Sequence, residues 1–300
     1  MTGNASVERV VLLALVLTAI VAGCGGSAPK GPPDLLFVST RDGDYAIFGG
    51  DTDGGHVRRL TEERGDPATP QGLFFQVEPT WSPDGRRIAF ASRRQGIFHI
   101  YVMNADGTGT TRLTSGKRND NTPSWSPDGT QIVFSREGAL FVVPARGGKP
   151  HRVGRGFGNA ADPAWSPDGE RIAFDYRKPG FPQRELYVMR ADGSGIRQLT
   201  KLRRTSALPA WSPDGKRIAF QSNGNLGRFE IYTIAVDGTD VRRVTRSLVD
   251  VIQPAWAPDG RLGFSRDGAI WVDDDGRQSR LTSDENNSDP TWRPAGQEPE

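Results

Sequence analysis

The chain has 300 residues, with 38 basic and 36 acidic side chains and a formal net charge of +2. The two signs are interspersed, so it lacks the concentrated basic face that nucleic-acid binding usually asks for. Only 35% of the residues are hydrophobic, while 37 are Gly and 22 are Pro, which excludes a protein of long helices and points to short strands joined by turns.

The first predicted element lies outside the fold. Residues 10–21 (VVLLALVLTAIV) form an apolar run of signal-peptide length, too short to span a bilayer comfortably. The run ends in Val21-Ala22-Gly23-Cys24, which resembles a bacterial lipobox. That resemblance implies cleavage before Cys24 and lipid on its sulfur and its new amino group. The alternative is an ordinary secretory signal with a chance cysteine. Cys24 is the only cysteine and has no disulfide partner. The expected divisions are a signal peptide over residues 1–23, a lipidated cysteine and flexible tether over 24–34, a folded domain over 35–293 and a disordered tail over 294–300.

The folded domain repeats itself. WSPDGRRIAF at 81–90 returns as WSPDGTQIVF at 125, WSPDGERIAF at 165, WSPDGKRIAF at 211 and WAPDGRLGF at 256. Trp81, Trp125, Trp165, Trp211, Trp256 and Trp292 recur at intervals of 36–46 residues, the span of a four-stranded propeller blade. Each unit opens on a segment ending in Pro-x-Trp. Ser-Pro-Asp-Gly then makes a tight turn, because Pro presets φ, Asp bonds nearby backbone and Gly accepts positive φ. An alternating strand (Ile88-Ala89-Phe90), a variable loop and a third strand (Ile100-Tyr101-Val102-Met103) follow. An Asp-Gly turn leads to a last strand ending Arg112-Leu113-Thr114. Leu35 to Ser39 matches the second strand of a unit, and Asp289-Pro290-Thr291-Trp292 is a first strand with no unit behind it. The expected fold is all-β: a six-bladed β-propeller of four-stranded antiparallel blades, closed by the C-terminal strand joining the first blade. The six tryptophans are expected to pack between blades.

The pattern Pro-x-Trp-Ser-Pro-Asp-Gly, Ile-Ala-Phe, Ile-Tyr-Val-Met-Asn-Ala-Asp-Gly, Arg-Leu-Thr resembles the propeller repeats of TolB and its relatives. The likeness runs over about residues 35–292 and is carried by five copies in register. It implies the propeller fold. TolB itself has an α/β domain ahead of its propeller and is a soluble periplasmic protein, whereas this sequence shows neither that domain nor a plain secretory leader.

Binding residues are sought on the face that gathers the loops between second and third strands and those entering each first strand, because variable loops on a rigid ring carry recognition. The candidates there are Arg41, Arg93, Arg94, Arg136, Arg177, Asn223 and Arg266, with Phe74, Phe75, Tyr176 and Phe181 as exposed aromatics. Glu78, Asp162 and Asp289 each stand three residues before a tryptophan. They either face the channel, where oxygens hold a cation such as calcium, or bond backbone at the strand start. Thr122, Leu208 and Gln253 fill the same slot elsewhere, which favours the second reading. No Gly-x-Ser-x-Gly occurs, and His56, His99 and His151 fall in different units. The sequence therefore points to no enzyme and no cofactor. The expectation is a monomeric, lipid-anchored module of the cell envelope that binds an envelope protein or lipoprotein. The alternative is a glycan or small-ligand binder at the channel mouth, or a carboxylate-based glycosidase or lyase.

Overall fold

The computed structural model describes residues 31–61, 76–94, 96–223 and 227–295. The signal-peptide residues, Cys24 and residues 296–300 lie outside them. Among the described residues are 24 strands in six four-stranded antiparallel sheets, and no helix. Blade 1 joins Asn287–Trp292 to Leu35–Ser39, Ala46–Gly50 and Arg58–Arg59. Blades 2 to 6 follow in chain order. Their inner strands are Gln76–Trp81, Asp120–Trp125, Ala160–Trp165, Ser206–Trp211 and Val251–Trp256. Trp292 pairs with Leu35 and Asn287 with Ser39, so the last strand closes the ring as its innermost blade-1 strand. The Arg293 N–H then donates to Asp34 O at 2.7 Å.

The repeated letters act locally. In blade 2, Ser82 Oγ donates to Asp84 Oδ1 at 2.5 Å and accepts from the Arg87 N–H at 2.8 Å; Asp84 Oδ1 also accepts from the Arg86 N–H. The turn is thus tied by two side chains before the second strand begins. The same bonds recur at Ser126, Ser166 and Ser212. At Asp168 partial burial would raise the pKa, but bonds from Ser166, the Glu170 N–H and Arg171 overcome it and hold the carboxyl down at about 2.

Arg-Leu-Thr closes blades 1, 2 and 6, Gln-Leu-Thr and Arg-Val-Thr close blades 4 and 5, and blade 3 ends in Arg-Val-Gly. Thr114 Oγ1 accepts from the Ile100 N–H at 3.0 Å, and Arg112 Nε donates to Thr114 O at 2.7 Å. Thr61, Thr200, Thr245 and Thr282 take the matching main-chain bond from the third strands of blades 1, 4, 5 and 6. The two-residue outer strands of four blades are held by side chains as much as by ladder bonds, which is how so short an edge stays in place.

The core lies between blades. Trp81 packs on Leu36, Ile47 and Leu60 of blade 1 and on Ile88, Phe90 and Met103 of its own blade. Trp125 and Trp211 bridge blades 2 and 3 and blades 4 and 5 in the same way. The phenylalanines of the second strands, Phe37, Phe90, Phe134, Phe174, Phe220 and Phe264, are all fully buried. Arg87 and Arg171 cap two of the indoles from the preceding blade, 4.7 Å from the Trp125 ring centroid and 5.1 Å from that of Trp211. At the closure the fit is tighter. Where other blades carry Ala89, Val133, Ala173 or Ala219, blade 6 carries Gly263, and a Cβ there would stand 1.8 Å from the Trp292 ring. Leu-Gly-Phe departs from Ile-Ala-Phe so that the closing tryptophan can seat.

Two substitutions measure these contacts by urea denaturation. Trp125→Ala should lose about 3–5 kcal/mol through cavity formation. Gly263→Ala should lose about 1–3 kcal/mol by overpacking; an unchanged midpoint would mean that Trp292 is not tightly held.

Candidate functional site

The two faces of the ring differ. The Ser-Pro-Asp-Gly and Asp-Gly turns share one, where Ala105 N–H donates to Arg86 O and Ala191 N–H to Glu170 O. The variable loops share the other, where Arg177 N–H donates to Asn159 O and Ser206 N–H to Arg184 O. The channel runs between them and is lined by one slot residue and one proline from every blade.

Each slot residue sits on a β-bulge of its inner strand and has positive φ: Glu78 58°, Thr122 51°, Asp162 49°, Leu208 54°, Gln253 58° and Asp289 52°. Non-glycine residues rarely adopt this region. Six copies of it show a bend that the ring needs. The bulge places these side chains in a cavity of about 150 Å³. Glu78 Oε2 accepts from the Thr122 N–H at 2.6 Å, so it does bond backbone, but that of the next blade rather than its own strand start. Gln253 Oε1 likewise accepts from the Asp289 N–H at 3.1 Å, and its Nε2 donates to Asp289 Oδ1. Asp162 stands beside Asp175, a fully buried carboxylate on the next strand that pairs with Arg184 at 3.0 Å.

Burial raises the carboxyls of all three acidic slots. Glu78 is pushed up to about 8 by burial and then by the charges of Asp289 and Asp162. Asp162 is pushed up to about 6 by burial, and Asp289 to about 6 by burial with help from Asp162. The three thus repel one another across the channel. Among the described residues no three His, Cys, Asp or Glu side chains lie close enough together to hold a metal ion.

The rim residues separate into two groups. Tyr176, expected to be exposed, is buried instead, 9% accessible, with its ring against Phe157 at 4.4 Å and Tyr187 at 5.5 Å. Its strand register turns it inward, opposite Ala160 of the inner strand. Arg136 forms a bidentate pair with buried Asp120 at 2.5 and 2.8 Å. Arg41 bonds Asn287 and pairs with Asp284 at 2.9 Å while lying over Phe48. Arg266 lies 3.4 Å from the Trp271 ring centroid and bonds Gln278. Asn223 accepts from the Thr205 N–H at 2.8 Å. These four candidates are engaged within the fold: Arg136, Arg266 and Asn223 inside their own blades, and Arg41 by the connection that leads from blade 6 into the closing strand. Arg93, Arg177 and Phe181 remain at the surface, Phe181 with 57% exposure. Phe74, Phe75 and the side chain of Arg94 lie outside the described residues. Leu248 and Val249, absent from the expected set, are exposed in the loop entering blade 6. Two adjacent apolar residues in a loop after Thr245, where other loops carry Gly, Lys or Asn, were the available signal.

A closed ring of six such blades around a narrow channel, with variable loops on one face, defines a six-bladed β-propeller. Its sequence places it further. The pattern of the TolB beta propeller domain matches residues 69–161 and 136–298, and the chain belongs to that family. Among solved structures it is similar to TolB from Acinetobacter baumannii, with TM-score 0.72 and 20% identity over 87% of this chain and 67% of that one. It is also similar to a putative TolB from Agrobacterium tumefaciens, with TM-score 0.65 and 23% identity over 86% of this chain and 91% of that one. A chain of a nidogen/laminin complex matches with TM-score 0.69 and 10% identity, over 88% of this chain and 99% of that one. These likenesses show the fold. No curated protein matches the sequence.

The channel carboxyls make stability fall with rising pH. Below about 4.5 Glu78 is protonated whether folded or not; as pH climbs towards about 8 the unfolded chain ionises while the folded one resists. The melting temperature should therefore drop between pH 5 and pH 8.5. Glu78→Gln, which keeps an acceptor for the Thr122 N–H, should flatten that drop. An equal slope in both proteins would show that Glu78 is not the titrating group.

Proposed function

We propose that this chain is a lipid-anchored, monomeric, extracytoplasmic propeller that binds another cell-envelope protein through its variable-loop face. One observation carries the reading. Of the five large apolar side chains exposed among the described residues, Tyr45, Phe181, Leu248 and Val249 stand on that face; only Val241 does not. Apolar and arginine side chains held on a rigid ring are the material of protein recognition. The channel offers less: its 150 Å³ falls below the roughly 300–1,000 Å³ of ligand pockets. Its three carboxylates favour a glycan or small cationic ligand at the mouth as the second reading. The reading assigns no catalytic residue; His56 and His151 are exposed, His99 is buried, and the three lie in different blades.

The chain enters blade 1 on the short-turn face, opposite the variable loops, where Arg58 Nη2 donates to Gly31 O and the Arg293 N–H to Asp34 O. Two acyl chains would anchor it stably, at roughly 0.8 kcal/mol per buried methylene.

In-cell cross-linking tests the binding. A protein captured by the wild type should be lost when Phe181→Ser and Leu248→Ser are combined, with the melting temperature unchanged. No capture by the wild type, or identical capture by the wild type, by this variant and by a Tyr45→Ser, Arg93→Glu variant, would refute a protein-binding face. Fractionation tests the anchor: Cys24→Ser should move the protein from membranes to the soluble fraction, and continued membrane association would remove the lipid from the account.

A further inference from the structure

The variable-loop face is not electrically uniform. Over blades 4 and 5 it exposes Arg155, Arg177, Lys178, Lys201, Arg203 and Arg246. The carboxylates of the same sector are all engaged within the fold. Asp175 pairs with Arg184. Glu185 accepts from the Arg203 N–H and from Thr200 Oγ1. Glu230 pairs with Arg243 and also accepts from Thr245 Oγ1 and the Ser247 N–H. Asp250 accepts from the Phe229 N–H. These carboxylates are spent on main-chain donors and on arginines of their own blades, and among the described residues none of the six cations forms an ion pair within 4 Å. Over blades 6 and 1 the balance reverses. There Asp267 and Glu285 are exposed and form no ion pair among the described residues, Asp42 is exposed but pairs with Arg59, and Arg41 and Arg266 are tied down.

The loops of this sector also form one continuous surface. Arg177 N–H bonds Asn159 O, Ser206 N–H bonds Arg184 O, Thr205 N–H bonds Asn223 Oδ1 and Phe229 N–H bonds Asp250 Oδ1. Successive loops from residue 159 to residue 250 are thus joined each to the next. Phe181 stands at one end of the surface and Leu248, 84% exposed, at the other. Lys178 Nζ lies 5.5 Å from the Phe181 ring centroid, so charge and apolar surface adjoin.

We infer that the loops of blades 4 and 5 form a docking surface for an acidic protein segment bearing apolar side chains, set off the propeller axis rather than on the channel. Unopposed cations attract acidic partners and set their register, while the apolar ends supply contact area. The choice of a protein over an anionic bilayer rests on the proposed function, in which the partner is an envelope protein and the chain enters the ring on the opposite, short-turn face.

The test uses the full chain and three labelled probes: a random glutamate–tyrosine copolymer, poly-glutamate, and vesicles with one third phosphatidylglycerol. The copolymer should bind more tightly than poly-glutamate. Its affinity should fall steeply between 50 and 200 mM salt. The triple reversal Arg177→Glu, Lys178→Glu, Arg203→Glu should weaken it tenfold or more without moving the melting temperature. Phe181→Ser should bring the copolymer towards the poly-glutamate value. Copolymer binding that ignores the reversal, binding of vesicles but not of the copolymer, or no binding at all would overturn the inference. The two proposals fail separately. A partner cross-linked in cells to Tyr45 or Arg93, and indifferent to the triple reversal, keeps the protein-binding face and overturns this sector.

Discussion

Every blade buries its faces only against its neighbours, and the wedge that holds each pair is the tryptophan at the end of the inner strand. Trp81 belongs to one buried cluster with three residues of the preceding blade and its own Phe90. A sheet of four short strands cannot bury enough apolar surface by itself, so no blade is stable alone. The ring exists because all six wedges are present and because the closing strand leaves no end face exposed. The tight turns, the arginine caps over the indoles and the Arg-Leu-Thr locks all serve to bring each wedge to the same depth.

Much of this was legible in the letters. The blade count and the closure followed from six tryptophans and from a domain that opens on a second strand and ends on a first. The between-blade packing followed from spacing as well. Proline, aspartate and glycine at fixed offsets dictate turns whatever surrounds them, so local chemistry sufficed. The bulge did not show in the sequence. Glu78, Thr122, Leu208 and Gln253 share no side-chain property, and their common positive φ comes from the curvature of the ring. Tyr176 was misread because alternation breaks where a strand meets a loop. One residue's difference in where blade 4's second strand ends decides whether that ring faces Phe157 or water.

The arginines teach a related lesson. Arg41 lies in a loop of the kind that binds partners, and Arg136 and Arg266 end the strands that lead into such loops; each is engaged by a carboxylate or ring that is distant in sequence or set by strand register. Their neighbours Arg177 and Lys178 look alike on paper and are exposed. What separates the two groups is the set of acids within reach. Asp120 and Asp284 are placed beside their arginines by inner strands and the loops that lead into them, which no local reading of the arginine predicts. A propeller face is therefore read best by asking which charges the scaffold has already used.

The closing strand has a bearing on the order of synthesis. Leu35–Ser39 is among the first segments of the domain to be made, and its partner Asn287–Trp292 is nearly the last. Until then the edge of Leu35–Ser39 has no neighbour, and the cleft beside Gly263 has no indole. The early blades can stack as they emerge, but the ring cannot shut before residue 292 is available. While Asn287–Trp292 is still held by the ribosome, the propeller stays open, with one strand edge bare to any chain that can pair with it. Delivery of that strand, rather than formation of the first blade, is the moment at which the ring becomes safe from its neighbours.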